Sequence, residues 1–529
     1  MLRKFLSAAA LFVAILVFLA APRATAQQSV YTPTPVFCAS DPTAADAVRG
    51  LCPLLPAYIG PDPAIAKRAF GYAGIRNAPQ SAAQDVQTPF DNMAWQTFIA
   101  LNWRDGASSD PKDGLSAAGP RVWQSWDRVE KVFGGAPVAP TCANPDGLPV
   151  YAVASKGKGQ PSAHNEEYLQ ASTNLPLIDV NGNWTVFERR LNAVEVGYLK
   201  DPLGKPGVNL TTIAGQNAFI SQGGKVYFPA SQAPPWSQKY GAIEIKAAWR
   251  ILDQAKGDDP ARYFTQRALL EVSSDLVQGG AQICEPVTLG LVGFHVIQKN
   301  AAEGELLDQW IWASFEHVDN APLAKTPCDP TGPLNPACTV INQPSCGAGA
   351  PEEGRRYSYF DPKQASNATN VAPVASSGQT TFAWSSAQPF AGAYQHAPGG
   401  LSPQAVRCWK VYSLTEDLNA AWRSELRKAN SVFANYMLIG TQWGANVEPE
   451  ANGYLPLNAV PGLLSNLTLE TYIQNNNTNL NSGGGVGSCV GCHSGAPLPV
   501  DNFKPPADFS FVLLLADPLA ARPAPLRQR

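Results

Sequence analysis

The chain has 529 residues, of which 15% are charged, and its formal net charge is −3. A mildly acidic chain without a basic tract is not expected to bind nucleic acid or an anionic membrane surface. Its length is sufficient for two or three hydrophobic cores. The 47 prolines and 44 glycines favour a loop-rich protein over a helical bundle.

Residues 1–26 have the three parts of a secretory signal peptide. Arg3 and Lys4 form a basic start, an apolar stretch follows, and Ala-Thr-Ala at residues 24–26 is a small-x-small cleavage site. The apolar run is at the lower length limit for a spanning helix and is followed at once by the cleavage site. We therefore expect export to the periplasm, cleavage, and no stable membrane insertion of the mature chain.

The cysteine count also predicts an oxidising compartment. An even number of cysteines outside the C-terminal motif described below suggests up to four disulfides, whose pairing the sequence does not fix. Cys38 with Cys52 is a plausible local pair, and two of Cys328, Cys338 and Cys346 would clip one long loop. The remaining three cysteines of this set are Cys142, Cys284 and Cys408.

The N-terminal part predicts an irregular arm followed by one helix. Residues 27 to about 87 are rich in Pro and Ala with weak periodicity. Asp91 is suited to cap a helix, because apolar residues recur after it at helical spacing. These residues are Trp95, Phe98, Ile99 and Trp103.

Residues 175 to 320 predict strands and hairpins. Asn181-Gly182 between apolar flanks is a strong hairpin signal. Short strands without intervening helices favour an antiparallel sandwich or barrel over a doubly wound sheet. The predicted strands are 225–229, 242–249, 287–296 and 309–317.

The C-terminal third begins with a predicted helix. A Pro/Gly-rich insertion at about 320–405 precedes it. Ser413 and Glu416 have capping-box spacing, and an apolar stripe follows as far as Phe433 and Met437. We predict an α+β protein: a large antiparallel β-rich body at 27–405 with peripheral helices, and a helical C-terminal region at 406–529 that carries a haem-bearing segment.

The chemical motif of the chain is Cys489-Val490-Gly491-Cys492-His493. In this spacing two thiols add to the vinyl groups of a haem and the adjacent imidazole is the proximal iron ligand. The alternative is a disulfide or a zinc site, but no second Cys/His pair stands at zinc-ligand spacing. The sequence therefore predicts one covalent haem c held by Cys489, Cys492 and His493.

Three residues are alternatives for the distal iron ligand. Met437 follows the long predicted helix and lies about 50 residues before the motif. His295 and His317 lie on predicted strands, where an imidazole is also commonly a hydrogen-bonded core residue. Alternation along a strand places Glu316 opposite His317, so these residues do not form one metal site without a bulge.

The position of the motif links the haem to the body of the protein. Only 36 residues follow His493, which is too few to enclose a haem on their own. We therefore expect the upstream body to cover the haem and to dock a redox partner, such as a small cytochrome or a dehydrogenase. Electron transfer is the predicted function, and the alternative is a haem enzyme, a peroxidase or oxygenase with an open distal iron site.

The chain resembles large exported bacterial proteins described as cytochrome c family proteins, which carry one haem motif near the C-terminus. The resemblance implies a monohaem cytochrome and does not imply a substrate. The matching segments are 95–103, 244–250, 293–295, 310–320, 440–443 and 488–493.

Overall fold

The fold is known from a computed structural model. It describes residues 51–56, 80–133, 142–153, 168–170, 175–202, 204, 208–231, 240–300, 309–328, 346–364, 369–374, 382–392, 395–396, 404–445, 449–450, 453–454, 458–460, 464–474 and 488–516. The predicted signal peptide, Cys38 and Cys338 lie outside these residues, as does most of the predicted arm.

The described residues contain α-helices and strands in mixed order along the chain. The helices are α1 (Gln80–Leu101), α2 (Val129–Val132), α3 (Ala193–Lys200), α4 (Ile213–Ser221), α5 (Ser413–Lys428) and α6 (Cys489–His493). The strands are β1 (Asp127–Arg128), β2 (Val150–Val153), β3 (Val186–Leu191), β4 (Ile243–Ile251), β5 (Thr265–Val272), β6 (Ile283–Asn300), β7 (Gln309–His317), β8 (Leu323–Cys328), β9 (Pro373–Val374), β10 (Gln395–His396), β11 (Arg407–Trp409), β12 (Tyr436–Ala445), β13 (Pro449–Glu450), β14 (Gly453–Tyr454) and β15 (Asn458–Val460).

A nine-stranded sheet organises the described part of the chain. Its main order is β1-β3-β4-β6-β7-β12-β15, and all of these neighbours pair antiparallel. The 18-residue strand β6 pairs with β4 on one edge and with β5 and then β7 on the other. Strand β2 extends the sheet by pairing parallel to β5. The α+β class with a large, mainly antiparallel sheet is therefore confirmed.

One face of the sheet, the helix face, is apolar and packs against α1 and α5. Phe294 and Phe315 on this face contact Phe98 of α1, with ring centroids 5.7 and 4.2 Å away. Trp95 of α1 stacks on Trp422 of α5. Complete burial of such aromatic side chains contributes about 2 to 3 kcal/mol each. The aromatic stripe predicted from the sequence therefore forms the main core.

The opposite face, the site face, is buried and yet rich in polar side chains. Cross-strand pairing aligns Lys246 with His295 and His295 with Ser314, and the next row holds Trp312 opposite Gln442. Residues 464–474 and 488–516 cover this face. Gly293 permits the close approach of the first segment, since a Cβ there would lie 2.1 Å from Thr468 Oγ1. Both C-terminal segments thus belong to the main body.

Several local predictions are confirmed by the backbone. Strand β7 has the predicted bounds, and β4 and β6 overlap the predicted strands closely. The Asn181-Gly182 turn joins an antiparallel bridge between Ile178 and Trp184, with Gly182 at φ +80°. The strand predicted at residues 225–229, in contrast, is not formed, and these residues have no regular secondary structure.

The two long helices differ from the prediction. Helix α1 begins at Gln80, so Asp91 lies within it and not at its cap. Helix α5 ends at Lys428 because Asn430 adopts a left-handed conformation with φ 55°. Met437 consequently belongs to β12, and the C-terminal region contributes a strand to the central sheet.

Disulfides brace the fold at two described positions. Cys142 is bonded to Cys284, and Cys346 to Cys408. Cys346 therefore does not take part in the predicted loop clip. Cys52 and Cys328 are each part of a disulfide as well. Disulfides of this kind fit a protein that matures in an oxidising compartment.

Among the helices of the described ranges, none is both long enough and apolar enough to cross a bilayer.

Asp91 gives a test of the packing between α1, α5 and β12. Its carboxylate accepts hydrogen bonds from Thr415 and Gln87, and burial raises its pKa from 3.8 to about 6. A raised folded-state pKa contributes stability at low pH that is lost as pH rises from about 3.8 to about 6. The effect on the free energy of unfolding is on the order of 3 kcal/mol.

We expect Asp91→Asn to remove this pH dependence. The stability of the variant relative to wild type should rise between pH 4 and pH 7, as measured by urea unfolding at each pH. The other buried carboxyl groups are the same in both proteins. The difference between the two free energies of unfolding at each pH therefore reports the contribution of Asp91 alone. An identical pH dependence in the variant would contradict a raised pKa of Asp91 in the folded state.

Candidate functional site

The C-x-x-C-H motif forms helix α6 on the site face. Ser488 caps the helix by accepting a hydrogen bond from Gly491 N–H at 3.1 Å. The side chain of Gln442, buried in β12, accepts a bond from Val490 N–H at 2.9 Å and lies 3.2 Å from the Ser488 hydroxyl. The strand thus holds the beginning of the helix, and the motif has a fixed register on the sheet.

His493 is held in one tautomer. Its Nδ1 lies 2.7 Å from the carbonyl oxygen of Phe509. A carbonyl only accepts hydrogen bonds, so Nδ1 carries the proton and Nε2 keeps a lone pair. Burial and, to a smaller extent, the Lys246 cation lower the pKa of His493 to about 4 against the opposing hydrogen bond to Phe509, so the imidazole is neutral at physiological pH. A neutral imidazole with a fixed Nδ1–H is the usual form of a histidine ligand to a metal.

The carbonyl that orients His493 lies in a constrained turn. Asp508 and Phe509 have left-handed backbone conformations, with φ 48° and 65°. Such conformations cost about 1 to 3 kcal/mol each, and they persist only where the surrounding structure imposes them. Here Trp310 Nε1 donates to the Asp508 carbonyl at 2.8 Å, and Phe228 N–H donates to its side chain at 2.7 Å. The turn is therefore fixed by the sheet and by the loop before β4.

A buried ion pair completes this anchor. Lys299 Nζ lies 2.8 and 2.9 Å from the two Asp508 oxygens, and both side chains are almost completely buried. The ring of Trp310 and that of Tyr227 lie beside the ammonium. Because water cannot replace either partner, the pair fixes the turn on the sheet.

A second polar contact reaches the same turn. The hydroxyl of Ser510 donates to Glu244 on β4. Glu195 of α3 is buried beside Glu244, and burial raises the pKa of both carboxyl groups. Arg189 opposes this rise at Glu244, and Asp508 strengthens it. The turn that orients His493 is thus connected to a pair of buried carboxyl groups.

The motif cysteines differ from the other described cysteines in redox state. Cys489 and Cys492 are thiols, whereas the other six cysteines of the described ranges are in disulfides. Burial raises the pKa of Cys489 well above its usual range, and Glu470 raises it further. The Cys489 thiol is therefore protonated in the absence of a bound group.

Of the three distal alternatives, His295 lies nearest the motif. It stands on the site face diagonally next to Trp312, whose ring centroid is 5.9 Å from that of His493. Its Nε2 is buried without a hydrogen bond and lies 3.5 Å from Glu470. Burial, together with smaller effects of Lys246 and His493, lowers the pKa of His295 to about 3. His295 is therefore a neutral imidazole with an available nitrogen.

Glu470 adds a titratable group to this site. Burial raises its pKa to about 7 with a smaller contribution from Glu316, against the opposing effects of Lys246 and the Asn466 backbone. The neighbourhood of His295 therefore holds a carboxyl group that changes charge near neutral pH. No side-chain pattern marks Glu470 as part of a site, and it lies among turns at residues 467–473.

His317 is engaged elsewhere, on the helix face. Its Nε2 lies 2.9 Å from the Arg262 carbonyl, and its Nδ1 accepts a bond from Asp319 N–H. Its ring stacks on Tyr263 at 4.2 Å. Both nitrogens are used, so His317 is a hydrogen-bonded core residue in this structure, and the structure does not bring it to the motif.

Met437 is also remote from the motif. It pairs with Glu316, whereas Gln442, which contacts the motif helix, is five residues further along β12. Five strand residues span about 17 Å. The separation arises because α5 ends early and the chain turns into the sheet. Met437 therefore lies far along the sheet from His493.

Glu316, which precedes His317 on β7 and is the cross-strand neighbour of Met437, has a structural partner. Glu316 lies on the site face, where it pairs with Arg407 at 2.8 Å and accepts a bond from Leu467 N–H. It points away from His317, as strand alternation predicts. Within the described ranges, no group of three or more His, Cys, Asp or Glu side chains is arranged to hold a metal ion.

The ion pair between Lys299 and Asp508 can be tested by substitution. Lys299→Met would leave Asp508 buried without a cation, and we expect a loss of about 3 to 5 kcal/mol in the free energy of unfolding. Lys299→Met combined with Asp508→Asn should recover much of this loss, because no unpaired charge remains. Urea unfolding of the three proteins measures both effects.

The control is Lys131→Met, which removes a lysine from an exposed pair with Asp127. This substitution should have little effect, since exposed ion pairs contribute little. Equal losses in Lys299→Met and Lys131→Met would contradict the anchoring role of the buried pair.

No family model, no curated protein and no solved structure matches the chain. The function is therefore inferred from the residues and geometry of the chain itself.

Proposed function

We propose that the chain is an exported electron-transfer protein with one covalent haem c, attached through Cys489 and Cys492 and ligated by His493. The observation that carries this proposal is the 2.7 Å contact between His493 Nδ1 and the Phe509 carbonyl. This contact fixes the tautomer with Nε2 unprotonated, as haem iron requires of its proximal ligand. Bound there, the haem would supply one-electron redox chemistry.

The state of the cysteines supports the same proposal. Thioether formation consumes two thiols, and Cys489 and Cys492 are thiols in a fold whose other described cysteines are oxidised. Val490, between them, is fully buried among apolar side chains of the C-terminal segment. Trp312 and Phe511 flank the His493 ring. The residues present therefore suit an apolar porphyrin next to the motif.

The proposed location is the periplasm. The disulfides fit an oxidising compartment, and residues 1–26 have the pattern of a cleaved signal peptide. Attachment of haem c takes place after export, so the motif and the signal support each other. Membership of the cytochrome c family, which the sequence resembles, and a small cytochrome or dehydrogenase as redox partner are parts of this proposal.

We assign the distal position to His295. Among the distal alternatives on the site face it lies nearer the motif than Met437, and its Nε2 has no hydrogen bond. Two neutral imidazoles would saturate the iron, which favours outer-sphere electron transfer over activation of peroxide or oxygen. His295 would thus be the second imidazole ligand of the iron and would prevent exogenous molecules from binding there.

A haem peroxidase or oxygenase is the second candidate function. Glu470 favours it, since a carboxyl group with a pKa of about 7 lies 3.5 Å from His295. In that arrangement His295 and Glu470 would move protons at an open distal position instead of ligating the iron. The two candidates differ in whether His295 binds the iron.

Covalent haem attachment is the first test. We expect protein matured in a host with a c-haem attachment system to retain haem on a denaturing gel. Cys489→Ala with Cys492→Ala should lose it, whereas His493→Ala should keep the attached haem with an altered absorption spectrum. Wild-type protein without covalent haem would overturn the proposed function.

The distal ligand is tested by absorption spectra of the ferric and reduced protein, with and without carbon monoxide. We expect a low-spin wild type that does not bind carbon monoxide, and a high-spin His295→Leu variant that does. Met437→Leu is the matched control and should resemble wild type. A wild type that is already high-spin would favour the enzyme, and an altered Met437→Leu spectrum would assign the distal position to Met437.

A further inference from the structure

A second candidate site lies at the far end of the helix face, away from the motif. It is a cavity of about 510 Å³ between the segment 115–121, the start of β5 and the end of α5. Its volume is within the range of small-molecule sites. The lining includes Leu115, Arg121, Phe264, Arg427, Asn430 and Asn435.

Arg121 is the unusual residue of this cavity. It is 3% exposed, and its two terminal nitrogens donate to the carbonyls of Gly114 and Ala117 at 2.8 and 3.1 Å. The rings of Phe264 and Phe433 lie about 5 Å from the guanidinium carbon. The Nε–H, however, has no hydrogen-bond partner. A buried charged donor without a partner is unfavourable, because it has lost its hydrogen bonds to water.

Comparison with the other buried cations shows what Arg121 lacks. Each of the other four basic side chains that are buried in the described ranges is paired with a carboxylate, whereas no described carboxylate pairs with Arg121. These pairs are Arg190 with Glu188, Arg250 with Asp179 and Asp258, Lys299 with Asp508, and Arg407 with Glu316. The fold otherwise neutralises its buried cations, so Arg121 is the exception.

The rest of the cavity is also electropositive. Arg427 lies in the lining, and the described lining residues include no Asp or Glu. Arg423 packs alongside with its Nε bonded to the Ala434 carbonyl, and its pKa is lowered by burial and by Arg427. Burial and Arg104 likewise lower the pKa of Arg121 to about 10, which still leaves it protonated at neutral pH. A protein of net charge −3 thus concentrates positive charge here.

We propose that this cavity binds a small organic anion, whose carboxylate or phosphate oxygens pair with the guanidinium groups of Arg121 and Arg427. Planar guanidinium groups suit such oxyanions, and Asn430 and Asn435 offer further polar contacts. The apolar side chains of Leu115 and Phe264 would contact the carbon skeleton. This inference does not depend on the proposed haem function.

The test is isothermal titration calorimetry of the purified mature protein with succinate, benzoate, phenyl phosphate and inorganic phosphate, each at constant ionic strength set with chloride. We expect saturable binding of at least one organic anion. Arg427→Gln should raise its Kd at least tenfold. Lys428→Gln is the matched control, because it removes the same charge from the neighbouring residue outside the lining, and should leave Kd unchanged.

Arg121→Met should abolish binding, and a circular dichroism spectrum establishes that this variant is folded. Should Arg121→Met fail to fold, the comparison of Arg427→Gln with Lys428→Gln still decides the matter. Absence of saturable binding for all four probes would overturn the proposal. Equal weakening by the two surface variants, or binding of inorganic phosphate alone, would overturn the assignment to an organic anion.

Discussion

The site face of the central sheet imposes a constraint on which the rest of the C-terminal chain depends. This face is covered, yet it carries Glu244, His295, Lys299, Glu316 and Gln442. A buried polar group without a partner costs several times what a typical hydrogen bond contributes. The covering segments must therefore bring polar partners to this face as well as apolar area.

The two covering segments meet this constraint in different ways. Residues 464–474 bring backbone N–H groups and an amide, so that Leu467 N–H bonds to Glu316 and the Asn466 side chain bonds to Ser314. Residues 488–516 bring a charged side chain and a backbone carbonyl. Asp508 forms an ion pair with Lys299, and the Phe509 carbonyl accepts a hydrogen bond from His493. The same contacts that satisfy the sheet therefore orient the imidazole of the motif. Structure and chemistry at this site share one set of hydrogen bonds.

The parts of this fold that depend on local pattern could be predicted from the sequence. The bounds of β7 followed from alternation, the hairpin from Asn181-Gly182, and the motif from the spacing of Cys489, Cys492 and His493. The end of α5 could not be predicted, because apolar residues continue past Asn430. They belong there to β12, in which the side chains alternate with a period of two residues instead of the helical 3.6. Periodicity over so few residues does not separate a helix from a turn followed by a strand.

The parts of the site that depend on distant residues could not be predicted. The acceptor for His493 is a backbone carbonyl, which no side-chain pattern marks, and its placement depends on a lysine more than 200 residues earlier in the chain. His295 was one of three alternatives, and only the pairing of β6 with β7 separates it from His317, since the pairing places the two imidazoles on opposite faces. Sheet register is therefore the information that the sequence lacked at this site.

The pairing of buried charges is relevant both to the motif site and to the cavity at Arg121. Only 15% of the residues are charged, and the buried cations among the described residues, other than Arg121, have carboxylate partners. A chain with so few charges that still buries ion pairs uses them to fix particular segments, as Lys299 fixes the turn at Asp508. Arg121 fixes the loop at Gly114 and Ala117 through two nitrogens and retains one donor. Since the fold supplies acids to its other buried cations, an acid for Arg121 from outside the chain would complete the same pattern.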